Sequence, residues 1–330
     1  MFNLVIDVGG YKTSICKPSL GVVLEEPTII AAINNSKDVA GVGSKAVKLL
    51  SSSTDYKPVF LIEKGAIIHR KMLSEMLQGF FQKIIQKNIF KKHSLIFCTP
   101  TCLDSHEKTE IQNLAYSLNV SKVKLIPTSV LAYVDACFNA PVNTKIILDI
   151  GGDTTEMSLV YDTKILTGYT IGMGGNVLDE AIKKIILEKY NLNISILQAE
   201  QLKREVATLL PNDFITASVI GLDATSHEAK ETEVFSQDFK ELFDEFFEQI
   251  IQPLITFKKA LSTDLITELK KGGIYVCGGM ANFTGLERFI IARLQLPVVV
   301  PPFPENSVMR GAEIVLNSNK ILEKVLNNNL

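Results

Sequence analysis

Two short segments of this sequence each place an aspartate near the end of a strand-like run, with one apolar residue between it and two glycines. They are VIDVGGYKTSI (Val5–Ile15) and ILDIGGDTTEM (Ile147–Met157), and they agree at Asp7/Asp149, Gly9/Gly151, Gly10/Gly152 and Thr13/Thr155. Glycines in such a turn let backbone N–H groups point inward as an anion-binding nest. Two hairpins of one design, 142 residues apart, predict two related halves, and the alternative is two unrelated glycine-rich turns.

Paired nests that face each other across a cleft would bind a polyphosphate from both sides. Asp7 and Asp149 would then face the same phosphates. Because bare carboxylates repel phosphates, we expect Mg²⁺ with its water shell between them. The alternative for either aspartate alone is a cap on its turn. The sequence has no GxxxxGK[ST] motif, which excludes a Walker-type phosphate site.

A third glycine pair lies in GGIYVCGGMANFTGLERFI (Gly272–Ile290), which reads as a buried strand, a turn and a helix. Small residues in this turn would let a flat ring lie against the backbone, so the segment is a candidate adenine site. The alternative is a plain turn from strand to helix.

The elements that would position these motifs alternate between strands and helices. Apolar residues at helical spacing from about Arg70 predict an amphipathic helix. Further helices are predicted over 103–118, 129–139, 176–190, 195–210, 238–260, 263–271 and 285–294, and the tail from Asn317 is predicted to be helical and then frayed. The polar stretch 35–57 is interpreted as a loop region, and the polar span 211–237 as part of a small subdomain. This alternation predicts an α/β fold with a largely parallel middle to its sheet.

Composition excludes several classes of protein. Lys and Arg number 34 and Asp and Glu 36, and this balance argues against a general nucleic-acid binder. No apolar run approaches the roughly 20 residues of a membrane span, and a strand pattern from Phe2 predicts no signal peptide. The five cysteines lie among apolar neighbours without a CxxC pair, which predicts buried, reduced thiols in a cytoplasmic protein.

The three motifs, in this order, resemble those of the actin–Hsp70–sugar kinase superfamily. Within it, the chain resembles the MreB family of bacterial actins over nearly its full length. The similarity is carried by GVVLEEPTIIA, IGMGGNVLDEAI, EKYNLNIS, AEQLKREV and LPVVVPPFPENSVMRGAEIVL. It implies an actin-like ATPase fold of two lobes, each with a ribonuclease-H-like core and a smaller inserted subdomain. The implied first lobe is 1–141 with 314–330 returning to it (small subdomain about 32–69), and the second is 142–313 (small subdomain about 181–237).

The resemblance also implies ATP and Mg²⁺ between the lobes and assigns residues to them. The implied ATP-binding positions are Asp7, Gly9, Gly10, Tyr11, Lys12, Gly151, Gly152, Asp153, Glu200, Lys203, Gly278, Gly279, Met280 and Ala281. Asp7 and Asp149 would hold the metal through water, and Thr128 and Thr154 occupy the implied catalytic positions. From spacing alone, Glu200 and Lys203 could equally form an ion pair on a helix surface.

Several of these positions depart from the family pattern. Gly10 replaces a hydroxyl residue, Lys12 an asparagine, and Asp153 and Met280 each a glycine. Thr128 stands where relatives carry the glutamate that orients the attacking water. Because a threonine hydroxyl is a poor base and a short arm, we expect ATP to be bound but hydrolysed slowly, and a Thr128→Glu variant to be faster.

The function that the resemblance implies is that of a filament-forming cytoskeletal protein involved in cell shape or motility. A weak membrane contact is predicted through Ile89 and Phe90, beside two lysines in NIFKKHS, and an ordinary solvated loop is the alternative. Two other functions stay open at this point. One is a small-molecule kinase, for which Asp153 and Glu156 are the candidate bases, and the other is a membrane adaptor that does not polymerise.

Overall fold

The computed structural model describes residues 3–36, 38–84, 93–138 and 142–329. Their strands include two five-stranded sheets, which we call the first and second sheets. The first has the order β10-β9-β1-β2-β3 and the second β13-β12-β11-β17-β18. When the second order is read backwards, each sheet has two outer parallel strands, a central strand and an antiparallel meander. The repeat predicted from the two glycine motifs therefore extends to the topology of both sheets.

The strands of the first sheet are β1 (Leu4–Val8), β2 (Lys12–Lys17), β3 (Gly21–Pro27), β9 (Ser94–Thr99) and β10 (Lys122–Pro127). Those of the second are β11 (Thr144–Ile150), β12 (Thr155–Tyr161), β13 (Lys164–Ile171), β17 (Ile274–Cys277) and β18 (Val298–Val299). The central strands β1 and β11 carry the two aspartates near their carboxyl ends, so both glycine turns lie at the same kind of sheet edge.

The predicted helices are all present in the predicted order, with shifted ends. They are α1 (Ser44–Ser52), α2 (Arg70–Ile84), α3 (Ser105–Tyr116), α4 (Thr128–Cys137), α5 (Gly175–Tyr190), α6 (Ile196–Val206), α7 (Lys240–Lys259), α8 (Thr263–Gly272), α9 (Leu286–Leu294), α10 (Ser307–Asn317) and α11 (Asn319–Asn328). Helices α1 and α10 were not predicted. Helix α6 ends at Val206, four residues before its predicted end, because the chain turns there and Thr208 forms a bridge to Thr284.

Interpreting 35–57 as a loop region was wrong. This stretch holds α1 between β5 (Val39–Val42) and β6 (Tyr56–Phe60), and these two strands pair with β4 (Ile29–Ile33) in a small sheet. Helix α1 has nine residues and only Ala46 is buried, so its apolar positions are too few to stand out among the serines and lysines around them. Two further strands, β7 (Ile62–Glu63) and β8 (Ala66–Ile67), form a short hairpin that follows.

The polar span after α6 forms a second small sheet of β14 (Leu192–Asn193), β15 (Thr216–Asp223) and β16 (Ala229–Phe235). The lobe and subdomain boundaries proposed from the sequence stay a prediction. Cys16, Cys98 and Cys277 are buried as expected, but Cys102 is exposed because it follows the end of β9.

Helices α4 and α10 pack directly on each other. A Cβ added at Gly311 would lie 1.9 Å from the carbonyl oxygen of Leu131, so the two backbones touch. Arg310 donates to both carboxylate oxygens of Asp135 at 2.8 to 3.1 Å, and Tyr275 of β17 donates to the same group at 2.6 Å. This crossing fixes the start of α4, where Thr128 lies.

Candidate functional site

The predicted site residues converge on one cavity of about 670 Å³ between the first and second sheets. Of the residues assigned from the sequence, those that line it are Asp7, Gly9, Gly10, Tyr11, Lys12, Thr128, Asp149, Gly151, Gly152, Asp153, Thr154, Glu200, Lys203, Gly278, Gly279 and Met280. Ala281 is buried and is not part of the lining.

The two glycine turns have the same internal geometry. The N–H of Gly9 donates to the carbonyl of Lys12 at 2.9 Å, and the N–H of Gly151 donates to that of Thr154 at 2.9 Å. A Cβ at Gly9 would lie 3.2 Å from its partner carbonyl and one at Gly151 would lie 3.1 Å from its own. The two turns therefore have one and the same backbone design.

The turns also contact each other across the cavity. A Cβ added at Gly10 would lie 2.6 Å from the Cβ of Asp153, and one added at Gly152 would lie 3.1 Å from the Cβ of Tyr11. In each case a glycine of one turn faces the residue that follows the second glycine of the other turn. The missing side chains thus allow the two nests to approach to van der Waals distance.

Three carboxylates lie together at the base of the turns. Burial, followed by the charge of Glu156, raises the pKa of Asp7 to about 6, and Lys12 opposes this. Burial, followed by the charges of Glu156 and Asp7, raises the pKa of Asp149 to about 8. The raised pKa values mean that the ionised carboxylates destabilise one another. A cation bound between them would relieve this repulsion. Among the described residues, no group of three or more His, Cys, Asp or Glu side chains is arranged to hold a metal directly.

Glu156 is the third carboxylate and is 7% exposed. Its Oε2 accepts hydrogen bonds from the N–H of Thr101 at 3.0 Å, from the Thr101 hydroxyl at 2.8 Å and from the Thr128 hydroxyl at 3.1 Å. Burial raises the pKa of Glu156, and the bonds from the two threonines oppose that shift. The hydroxyl of Thr128 is thus bound to a residue of the second sheet.

Lys12 lines the cavity and has two partners there. Its ammonium lies 2.7 Å from Oε2 of Glu25 and donates to Oδ1 of Asn306 at 3.0 Å. Asn306 lies between β18 and α10. Lys12 therefore joins the first turn to the segment that connects the second sheet to α10. A phosphate would have to compete with the carboxylate of Glu25 for this cation.

Glu200 and Arg204 of α6 approach the first turn on the other side of the cavity. Arg204 lies 2.6 Å from Glu200 and its guanidinium carbon is 5.1 Å from the centre of the Tyr11 ring. Burial, and then the Glu200 carboxylate, raise the pKa of Tyr11 to about 12. Tyr11 therefore links the first turn to α6.

Lys203 does not form the surface pair with Glu200 that spacing allowed. It is buried and lies 2.7 Å from Oδ1 of Asp179 on α5, and it also donates to the carbonyl of Gly175 at 2.9 Å. Burial raises the pKa of Asp179 to about 6 even though Lys203 lowers it. This pair fixes α6 against the start of α5.

Asp153 and the two glycines of the third motif, Gly278 and Gly279, differ in how closely other atoms approach them. Oδ2 of Asp153 accepts from the N–H of Gly65 in the β7–β8 turn at 2.5 Å, so this carboxylate has a hydrogen-bond partner outside the two turns. Gly278 has φ +85°, and a Cβ there would lie 2.3 Å from the carbonyl oxygen of Ile150. No side chain fits at this position, whereas at Gly279 a Cβ would meet nothing within 4 Å. Gly279 therefore borders open space, and the adenine site assigned there from the sequence stays a prediction.

Three functional candidates were missed or undervalued by sequence reasoning. Glu156 was named only as a base for an alternative function, and Thr101 and Asn306 were not named. Position could have indicated Thr101, because it follows β9, the parallel neighbour of β1, and ligand sites in α/β sheets lie beyond the carboxyl ends of such strands. Ile89 and Phe90, the predicted membrane contact, lie outside the described residues. No helix in the described part of the chain is long and apolar enough to span a bilayer.

Comparisons with known proteins agree with this arrangement. Of the solved structures, MreB 5 of Spiroplasma citri bound to AMPPNP is similar with a TM-score of 0.87 and 23% identity, over 100% of both chains. The MamK double helical filament is similar with a TM-score of 0.81 and 17% identity, over 96% of this chain and 99% of that one. These two similarities confirm the predicted actin-like fold.

The cell shape-determining protein Mbl of Bacillus subtilis (strain 168) is 27% identical, with 98% of each chain covered. The sequence model described as MreB/Mbl protein matches residues 1–324, and the chain therefore belongs to the MreB/Mbl family.

Proposed function

We propose that this protein binds ATP with Mg²⁺ and assembles into actin-like filaments that act in cell shape or motility. The observation that carries the proposal is the pair of equivalent glycine turns in contact across one cavity, above carboxylates with raised pKa values. The turns of Gly10 and Gly152 would bind the phosphates through their N–H groups, and Gly279 would lie against the adenine. We place the protein in the cytoplasm, with a membrane contact at Ile89 and Phe90.

Asp7 and Asp149 would hold the hydrated metal, because they lie near the carboxyl ends of the two central strands, where the two turns begin. When bound, Mg²⁺ would neutralise charge on the phosphates. The charge of Lys12 would act from the side of the first turn, where Glu25 and Asn306 orient it. Glu200 would contact the ribose, while Lys203 would shape the base pocket through α5 and α6.

Assembly is the second half of the proposal. Binding of one nucleotide by both turns would hold the cavity closed, and a closed form would present matching surfaces at its two ends. A head-to-tail contact that does not close on itself produces an open filament. The similarity to a protein solved as a double helical filament supports this kind of assembly here.

The proposal is tested by calorimetry with Mg²⁺–AMPPNP, followed by sedimentation and electron microscopy with Mg²⁺–ATP. We expect one nucleotide per chain and concentration-dependent filaments. A Gly10→Val variant should show neither, because its side chain would push the turn of Asp153 away. Wild-type protein that takes up no nucleotide would contradict the proposal. Soluble monomers with acceptor-stimulated turnover would favour a kinase, and pelleting only with lipid or a partner filament would favour an adaptor.

Slow hydrolysis is expected because Thr128 replaces the water-orienting glutamate. Phosphate release after assembly should be at least about 10-fold slower than in relatives that carry the glutamate, since such a group is worth one or more orders of magnitude in rate. A steady-state phosphate assay on this protein and a glutamate-bearing relative, at equal filament mass, makes the comparison. Equal rates would contradict the expectation.

Tyr11 is expected to slow the release of nucleotide. A Tyr11→Ala variant loses the ring that stacks on Arg204 and closes the α6 side of the cavity. A lost cation–π contact and its packing should accelerate the dissociation of a fluorescent ATP analogue roughly 5- to 10-fold in stopped-flow measurements. Tyr11→Phe keeps the ring and should stay within about 2-fold of wild type. If the alanine variant releases nucleotide at the wild-type rate, the ring does not close the site.

A further inference from the structure

The hydroxyl of Thr128 donates its proton to Glu156 and cannot also donate it to a water molecule. A threonine hydroxyl carries a single proton, and that of Thr128 is donated to Oε2 of Glu156 at 3.1 Å. The position at which relatives place a water-orienting carboxylate therefore supports another carboxylate in this chain.

The two oxygens of Glu156 have different surroundings. Oε2 accepts all three bonds from Thr101 and Thr128. Oε1 accepts no hydrogen bond from any residue that the structure describes. It also keeps some solvent-accessible surface. Because Glu156 lines the cavity, Oε1 is the oxygen that faces it.

The fold itself does not require a carboxylate at this place. In the second sheet, Glu156 is the cross-strand partner of Asp149. At the equivalent place in the first sheet, the partner of Asp7 is Ser14. Burying a carboxylate is unfavourable unless it is paired, and the only donors to Glu156 in the described residues are neutral. The equivalent strand pair of the first sheet carries serine at this position. The carboxylate of Glu156 is therefore explained by the site and not by the fold.

We infer that Glu156 positions the water that attacks the γ-phosphate, and that Thr101 and Thr128 orient its carboxylate by holding Oε2. This inference rests on the proposed binding of ATP. Water would donate a hydrogen bond to Oε1, which leaves the lone pair of the water oxygen free for the phosphorus.

The step that this position serves is hydrolysis of the terminal phosphate. The water oxygen bonds to the γ-phosphorus while the bond from that phosphorus to the β–γ bridging oxygen breaks. The bridging oxygen leaves with its electron pair as part of ADP, and both water protons end on the released phosphate. ATP⁴⁻ and H₂O thus give ADP³⁻ and H₂PO₄⁻.

The test compares Glu156→Gln with two neighbouring variants. The glutamine oxygen can accept the same three bonds, which leaves an NH₂ group, a donor, where Oε1 accepted. We expect single-turnover phosphate release to fall at least about 10-fold, with AMPPNP affinity within about 2-fold of wild type and no lower unfolding temperature. Thr128→Val, which removes one of the three donors, should slow phosphate release less than Glu156→Gln does.

Ser158→Ala is the matched control, because Ser158 lies two residues along β12, donates to Thr101 at 3.1 Å and does not line the cavity. Its rate should be that of wild type.

A crystal structure of the wild-type Mg²⁺–AMPPNP complex adds a measurement that does not depend on turnover. We expect an ordered water within about 2.6 to 3.2 Å of Oε1 of Glu156, and its loss or displacement in the glutamine variant. Unchanged hydrolysis in Glu156→Gln, an equal or larger loss in Thr128→Val, or wild-type protein that binds ATP without hydrolysing it would each overturn the inference while leaving nucleotide binding intact. Absence of AMPPNP binding by the wild type would instead overturn the proposed function.

Discussion

An Asp149→Asn variant is expected to unfold at a higher temperature than wild type when neither holds nucleotide, and to lose Mg²⁺-dependent binding of ATP. Burial, and then the charges of Glu156 and Asp7, raise the pKa of Asp149 to about 8, so the folded protein holds this charge at a cost. Asparagine keeps the shape and removes the charge. The gain in the free energy of unfolding should be on the order of a few kcal/mol near pH 8, because each pKa unit corresponds to about 1.4 kcal/mol.

The pH dependence of this gain has a defined sign. The pKa of Asp149 is raised from 3.8 in the unfolded chain to about 8 in the folded one, so between these values the folded state holds a proton that the unfolded state has released. Raising the pH through this window therefore favours unfolding of the wild type. The difference in stability between variant and wild type should be near zero at about pH 4 and should grow up to about pH 8. Urea unfolding at several pH values measures it.

Asp135→Asn is the matched control for this variant. Asp135 is also a partly buried aspartate, but it accepts bonds from Arg310 and Tyr275 at 2.6 to 3.1 Å. Removing that charge leaves the guanidinium without its partner, and the variant should be less stable than wild type. If both variants shift stability in the same direction, or if Asp149→Asn still binds ATP only in the presence of Mg²⁺, the metal assignment is wrong.

Local patterns predicted the site where the residues are close in the chain. Each aspartate–glycine turn is a single hairpin, so its strand, its turn and the carboxylate at the strand end could be predicted from about ten residues. The contact between the turns was also foreseeable, because Gly10 and Gly152 lack the side chains that would keep them apart. The arrangement around Glu156 was not, since Thr101 and Glu156 are 55 positions apart and meet only when the two sheets pack.

The fold shows the same division. Long helices with strong apolar periodicity, such as α2 and α7, were predicted within a few residues of their ends. Helix α1 was missed because it has nine residues and buries one, so tertiary contacts with its small sheet stabilise it more than its own pattern does. For Lys203 the resemblance implied a nucleotide contact and spacing allowed an ion pair with Glu200, but its buried pair with Asp179 could not be predicted because Asp179 lies on another helix.

A Gly311→Ala variant is expected to lose much of the stability of the protein. Alanine normally stabilises an α-helix relative to glycine by about 0.5–1 kcal/mol. At Gly311, however, the added Cβ would lie 1.9 Å from the carbonyl oxygen of Leu131. That oxygen belongs to the backbone of α4 and cannot move unless the helix moves, so the free energy of unfolding should fall by about 3 kcal/mol or more. Urea unfolding followed by circular dichroism measures the loss.

Gly79→Ala separates this contact from the general effect of the substitution. Gly79 also lies inside a helix, α2, and a Cβ there would meet nothing within 4 Å, so alanine should be neutral or stabilising. Two identical substitutions should thus shift stability in opposite directions, and equal effects would show that the α4–α10 contact is not tight. Because α4 begins at Thr128, a displaced α4 would also move the hydroxyl that holds Glu156. Any Gly311→Ala protein that still folds should therefore release phosphate more slowly than the Gly79→Ala protein at saturating ATP.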